Sequence, residues 1–146
     1  KDNSVLTIFD KLTKIGFFRS KEASNTTQKY IDKLDIKVAN INNFVMNLSG
    51  GNQQKVVIAK WLAKNCKILL FDEPTRGIDV AAKAQIWRLI SEFTKDGGSV
   101  IVASNEIPEL INNCNRIVTM QKGNINKTFS HFQFNEQEIS LNISSR

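Results

Sequence analysis

Long apolar runs are missing from this chain. The longest, Ile68-Leu69-Leu70-Phe71 and Val100-Ile101-Val102-Ala103, have strand length and fall far short of the roughly 20 residues a bilayer-spanning helix needs. No apolar core follows Lys1-Asp2-Asn3-Ser4, so no signal peptide is expected, and residue 1 is not Met, which points to an internal start. Cysteine is scarce. Cys66 and Cys114 lie far apart in no metal-ligand spacing, which argues for two reduced thiols of a cytosolic protein over a single bridge. Charge of one sign is never concentrated: the net charge is +6, yet Lys and Arg are scattered and no block forms, so no dedicated nucleic-acid face is expected. Heptads and internal repeats are absent too. What remains is a 146-residue chain of ordinary soluble composition, enough for one domain or a piece of a larger one.

The apolar pattern divides the chain into a helical part and an alternating part. Val5, Leu6, Ile8, Phe9, Leu12, Ile15 and Phe17 read as one amphipathic helix over 3–18, weakened at its end by Gly16. Residues 19–27 are polar and read as a loop, and Tyr30, Ile31 and Leu34 predict a second helix over about 26–34. The Asn-rich stretch 40–47 looks irregular. A helix over 52–64 is expected to bury the face carrying Val57/Trp61 and Ile58/Leu62, pairs four residues apart. Lys67 to Phe71 then reads as a fully buried strand that stops where proline follows Asp72-Glu73. Asp79 is placed to cap the next helix, whose inner stripe is Ala82, Ile86, Leu89, Ile90 and Phe93, and Asp96-Gly97-Gly98 ends it. Ser99 to Ala103 is a second buried strand, a short helix begins near Pro108, and Arg116 to Met120 is a third strand turning at Lys122-Gly123-Asn124. Asn135-x-x-Glu138 resembles a capping box for a terminal helix. Alternating strands and helices imply a parallel sheet with helices on its faces.

Two segments carry chemistry. Ser49-Gly50-Gly51 opens a helix, so it offers a hydroxyl, backbone N–H groups and the positive helix end to a phosphate; a Cβ there would hold the phosphate away. Alone, such a triplet is in most proteins only a turn. Asp72 and Glu73 stand where an apolar strand stops: the first is suited to hold magnesium through water, the second to orient or deprotonate an attacking water. The bland alternative is a solvated acidic strand end. For Asp79 a helix cap and a functional role are compatible.

With these residues in view, Leu48-Ser49-Gly50-Gly51-Asn52-Gln53-Gln54-Lys55 resembles the signature motif of ABC ATPases, Leu69-Leu70-Phe71-Asp72-Glu73-Pro74 their Walker B strand, and Thr75-Arg76-Gly77-Ile78-Asp79-Val80 their D-loop. The Asn-Gln-Gln-Lys and Thr-Arg-Gly-Ile-Asp-Val versions are similar to those of the ATP-binding subunits of ribose, galactose and related simple-sugar importers, which carry two ATPase domains in one chain. Ser104 to Glu109 and Arg116 to Met120 match the second of those domains. The resemblance implies a partial P-loop NTPase (ABC ATPase) domain of α/β class: a helical subdomain with the signature over 1–65, then the C-terminal half of a RecA-like core over 66–146, with a mostly parallel sheet. It also implies ATP and magnesium as ligands. Ser49, Gly50 and Gly51 would meet the γ-phosphate of ATP held by an opposing domain, and Gln53 would help shape that contact. Asp72 would serve magnesium, Glu73 would act as catalytic base or water-positioner, and Asp79 would couple the two sites. The implied partners are the missing N-terminal half and first nucleotide-binding domain, membrane permease subunits and, indirectly, a sugar-binding protein. The implied location is the cytoplasmic face of the cell membrane. Two other readings stay open: a non-catalytic module completing a partner's ATP site, and a nucleic-acid-linked ABC ATPase, disfavoured by the absence of heptads and basic clusters.

The chain departs from the family pattern in two places. No glycine is followed by lysine, so Gly-x-x-x-x-Gly-Lys-Ser/Thr is lacking and the phosphate loop is expected upstream of residue 1. Asn105 stands where a switch histidine is expected, and an amide cannot exchange a proton as imidazole does; the lone His131 reads as a surface residue. Ala81 replaces the group's usual glycine. Sheet edges and apolar faces left uncovered by the missing half should make the isolated chain self-associate or be only modestly stable; a sharp monomer by sedimentation with a high unfolding midpoint would contradict this. The isolated chain is also expected to bind no Mg-ATP up to millimolar concentration, a range that reveals anything tighter than about −4 kcal/mol; saturable binding in equilibrium dialysis would disprove the missing loop.

Overall fold

The computed structural model describes residues 1–14 and 17–144 and comprises two compact units, Lys1–Ile101 and Val102–Arg146. Among the described residues no helix is long and apolar enough to cross a membrane.

The first unit begins with α1 (Asp2–Val5), a 3-10 turn (Leu6–Ile8) and α2 (Phe9–Leu12), followed by β1 (Thr13–Lys14) and β2 (Phe17–Phe18), which pair antiparallel. The single helix expected over 3–18 is therefore corrected to three short pieces and a hairpin, with Ile15 and Gly16 outside the described residues. The backbone breaks at Val5 (φ −111°) and Ile8 (φ −119°), both β-branched and buried, and turns extended at Thr13 (φ −109°, ψ 126°). Stacking of the Phe9 and Phe18 rings, with centroids 5.2 Å apart, folds the hairpin back. Val5, Ile8 and Leu12 still face inward, so the periodicity identified the buried side but not the continuity of hydrogen bonds.

Helix α3 (Ser20–Lys33) starts well before the expected position, and the predicted loop over 19–27 is corrected to helix. Its inner stripe starts with Ala23 and Thr27 ahead of Tyr30 and Leu34, residues too small or too polar to register as an apolar pattern. Thr27 Oγ1 donates to the Ala23 carbonyl (2.9 Å), and Arg19 at the N-cap pairs with Glu22 of the first turn at 2.8 Å. The helix ends in a Schellman motif: Ile36 N–H donates to the Ile31 carbonyl and Asp35 N–H to that of Asp32, with Asp35 left-handed at φ 48°.

Helix α4 (Gly50–Ala63) packs on α1 and α3, and Val56, Ala59 and Ala63 complete a helical core with Val5, Tyr30 and Ile36. Its buried face differs from expectation in one half. Ile58 is 2% exposed, but Val57 and Trp61 are 41% and 44% exposed. The helix turns inward the side that carries Gly51, Ala59 and Ala63, because small residues permit the closest approach of neighbours.

Strands β3 (Ile68–Asp72) and β4 (Ser99–Ala103) lie side by side in a small parallel sheet, and β4's first three residues belong to this unit. Neither strand is fully buried. Leu69 is 6% exposed, whereas Ile68 and Leu70 are 62% and 73% exposed. Side chains alternate across a strand, and only one face of this pair carries a protein layer. Between the strands runs α5 (Val80–Lys95), which buries Ala82, Ile86 and Ile90 as expected, and Trp87 in addition. A second Schellman motif closes it: Gly98 N–H donates to the Phe93 carbonyl and Gly97, at φ 90°, to that of Thr94.

The second unit contains α6 (Ile107–Asn113), with proline in its first turn, and the antiparallel hairpin β5 (Arg116–Gln121) and β6 (Asn124–Ser130). Lys122 (φ 49°) and Gly123 (φ 81°) form the two-residue connection, the left-handed pair that a type I′ turn requires. A 3-10 turn (His131–Gln133) leads to α7 (Glu136–Ser144). Asn135 caps α7 by accepting from Glu138 N–H at 3.0 Å, but the Glu138 carboxylate pairs with Lys127 instead of closing the box. Phe129, Ile117 and Ile139 form the core. His131 is exposed, as expected, and its ring lies 5.3 Å from that of Phe134. Both cysteines are free thiols, and burial pushes that of Cys114 up.

The two faces of α4 give a direct test. Ile58→Ala should cost about 2–4 kcal/mol in urea unfolding and Val57→Ala less than about 1 kcal/mol; equal losses would contradict the burial seen here.

Candidate functional site

The site is built around the start of α4. Ser49 occupies the N-cap position in extended conformation (φ −61°, ψ 155°), and its carbonyl accepts the first helical bond, from Gln53 N–H at 2.9 Å. A serine here ordinarily accepts from an N–H of the first turn. This one makes no such bond. Its Oγ instead accepts from Asn52 Nδ2 at 2.9 Å, so the serine leaves the leading N–H groups of the helix to another acceptor. Gln53 braces the entry from below, with Nε2 donating to the Leu48 carbonyl at 2.8 Å. Asn52 Oδ1 accepts from Lys37 N–H at 2.8 Å, tying the helix start to the segment after α3.

The two glycines play different parts. Gly51 is buried, and a Cβ added there would lie 2.6 Å from Ala82 Cβ, so its missing side chain lets α4 and α5 approach. Gly50 is exposed; a Cβ there would meet Ile78 Cγ2 at an ordinary 3.5 Å. This contact brings the 73–79 turn beside the helix start. Asp79 caps α5 as the sequence suggested, its Oδ1 accepting from Ala82 N–H at 3.0 Å. A cleft of about 150 Å³ between the helix starts is lined by Ser49, Asn52 and Asp79 together with Asp35, Lys37 and Lys55.

Lys55 belongs to this cleft although sequence reasoning gave it no role. Its side chain is buried, and Nζ donates to the Asp35 carbonyl at 2.8 Å. Burial pulls the amine below its ordinary value, partly opposed by the Asp35 carboxylate. The Asp35 carboxyl is itself held below the usual range, chiefly by its hydrogen bond from Lys37. One signal was present in the sequence: Lys55 interrupts the stripe of Gly51, Ile58 and Ala59 with a charge. No such signal marks Asn52, whose partner is fifteen residues distant.

Asp72 and Glu73 follow at the end of β3 and do not line this cleft. Asp72 is exposed. Glu73 takes a left-handed φ of 47° that turns the chain off the strand, and Arg76 N–H donates to its carbonyl at 3.2 Å. Pro74 and Thr75, both buried, fix the turn. Among the described residues no group of three or more His, Cys, Asp or Glu side chains gathers to hold a metal. One or two carboxylates beside substrate phosphates are, however, the usual protein share of a magnesium shell, so the exposed Asp72 carboxylate fits that ion. Asn105 lies in the second unit between β4 and α6, its carbonyl accepting from Ile107 N–H at 3.2 Å.

Solved structures show what class of fold presents a helix start and a strand end in this way. An inward-facing metal-chelate type ABC transporter matches 97% of this chain and 56% of its own at a TM-score of 0.82 and 20% identity. An ATP-binding cassette dimer in a post-hydrolysis state, bound to ADP and Pi, matches 89% of this chain and 55% of its own at a TM-score of 0.73 and 25% identity. The architecture is thus part of an ABC ATPase fold. The ABC transporter family matches residues 2–76, just over half of the sequence, and the chain belongs to that family. It is 43% identical over 138 residues to a ribose import ATP-binding protein of Mesorhizobium japonicum, covering 94% of this chain and 27% of that protein. It is 41% identical to a xylose import ATP-binding protein of Thermoanaerobacter pseudethanolicus over 95% of this chain and 28% of the relative. A galactose/methyl galactoside import ATP-binding protein of Clostridium perfringens is also 41% identical, over 99% of this chain and 28% of its own length. The chain therefore spans about a quarter of these curated relatives.

Gly51→Ala should destabilise the chain by about 1–3 kcal/mol through overpacking. Adding Ala82→Gly should return most of that loss in thermal unfolding; no recovery would refute the close approach as the reason for glycine.

Proposed function

We propose that this chain is the C-terminal part of the second nucleotide-binding domain of a simple-sugar importer's ATPase subunit. The observation that carries this reading is the uncapped start of α4, with Ser49 at the N-cap, in a family member whose relatives import ribose, xylose and galactose. The leading N–H groups and the helix dipole place partial positive charge where a γ-phosphate needs it, and donors fixed in advance cost no reorganisation during reaction. In this reading Ser49, Gly50 and Gly51 meet the γ-phosphate of ATP bound by the opposing domain. Gln53 holds the loop that presents them, and Gly51 does so by admitting α5. Asp79 links this contact to the next helix through its cap, coupling the two ATP sites.

The second face of the chemistry is Asp72-Glu73. Asp72 holds magnesium through water, which supplies charge neutralisation on the phosphates, and Glu73 orients or deprotonates the attacking water. The phosphate loop comes from the missing N-terminal half, the isolated chain does not hydrolyse ATP, and the first nucleotide-binding domain of the same protein completes the pair. Permease subunits receive the motion at the cytoplasmic face of the membrane, and a sugar-binding protein delivers substrate. Asn105 supports a second reading, in which this half completes a partner's site without hydrolysing ATP itself, because an amide offers hydrogen bonds but no proton exchange.

In the assembled importer Ser49→Ala should lower ATP turnover about tenfold or more, the value of a hydrogen bond to a charged group. Glu73→Gln separates the two readings. Turnover falling by half or more assigns hydrolysis to this site, and unchanged turnover assigns it the passive role.

A further inference from the structure

We infer that Asn52 is a positioning residue that forces the Ser49 hydroxyl to act as a hydrogen-bond donor towards phosphate. The inference rests on the proposed contact of Ser49 with ATP. Its logic is one of donors and acceptors. The Lys37 backbone N–H can only donate, so the atom of Asn52 facing it at 2.8 Å must be Oδ1. That fixes which way the amide points, and the other end, Nδ2, must then face Ser49 Oγ at 2.9 Å. An NH₂ group only donates, so Ser49 Oγ accepts there and its own proton is left to rotate elsewhere. Phosphate oxygens only accept. A serine whose oxygen is engaged from behind and whose side chain makes no cap bond therefore presents its O–H outward, in the polarity a phosphate requires.

The anchor of this relay is rigid. Lys37 follows the Schellman turn whose Ile36 N–H is bonded to the Ile31 carbonyl, with Ile36 itself in the core. The Asp35 carbonyl in the same turn is held by the buried Lys55 amine of α4. Asn52 is thus fastened to a fixed backbone group, and the hydroxyl it sets inherits that fixity.

Asn52→Asp tests the relay because the carboxylate still accepts from Lys37 N–H but offers no donor to Ser49, turning the hydroxyl proton inward. In the assembled importer, kcat and KM for ATP hydrolysis are compared for wild type, Asn52→Asp, Ser49→Ala and the double variant, with thermal unfolding run alongside. Asn52→Asp should lower kcat by a factor within about threefold of that for Ser49→Ala, and the double variant should be no worse than the poorer single variant. Wild-type kcat in Asn52→Asp beside a tenfold loss in Ser49→Ala would overturn the relay and leave the proposed function standing. Multiplying losses would overturn it as well, since the new charge would then act independently of the hydroxyl. If Ser49→Ala itself retains full turnover, the phosphate contact fails and the relay with it. Should Asn52→Asp unfold, Asn52→Ala with and without Ser49→Ala measures the same coupling: non-multiplying losses support the relay, and multiplying losses overturn it.

Discussion

Two helix starts, at Ser49 and Asp79, sit side by side because nothing but van der Waals contact separates Gly51 from Ala82. The 2.6 Å that a Cβ at residue 51 would leave is far inside the closest approach of two carbons. With glycine there, α5 docks against the first turn of α4, and the chain between Glu73 and Asp79 has to pass over Gly50 to reach its own cap. The positive ends of both helices consequently face the same cleft. Asp79 neutralises one of them, while Ser49 declines to neutralise the other. That asymmetry, not the bare presence of glycines, leaves the N–H groups of one helix start without a side-chain cap and closes the other into a structural joint.

Beneath this surface Lys55 is an expensive foundation. Burying an ammonium is tolerated only where its hydrogen bonds are met, and the Asp35 carbonyl, turned toward it by a left-handed residue, meets one of them. The same turn also orients the Lys37 N–H that Asn52 reads. One irregular backbone position at the end of α3 thereby serves two side chains of α4, and the helical core of Val5, Tyr30 and Val56 holds both helices in place.

Several local signals in the sequence held because their cause was local. Asp79 caps α5 because a short acceptor precedes an apolar stripe. Gly97-Gly98 closes that helix, and the connection after β5 reverses at Lys122-Gly123, because only left-handed residues close such turns. Errors arose where the deciding contact was distant. The stretch 19–27 looked like a loop because Ala23 and Thr27 owe their burial to packing with α1 and α4, not to their own hydrophobicity. The apolar strands looked fully buried because composition cannot report how many layers cover a sheet. Asn52 was legible as part of a motif, but its task depends on Lys37, and no periodicity connects the two.

The left-handed backbone at Glu73 carries a consequence for stability. A side chain in the left-handed region costs roughly 1–2 kcal/mol that glycine would not. On backbone conformation alone, glycine would be the more stable residue at position 73. Keeping a carboxylate at φ 47° is a standing backbone cost that the interactions of the Glu73 side chain have to offset.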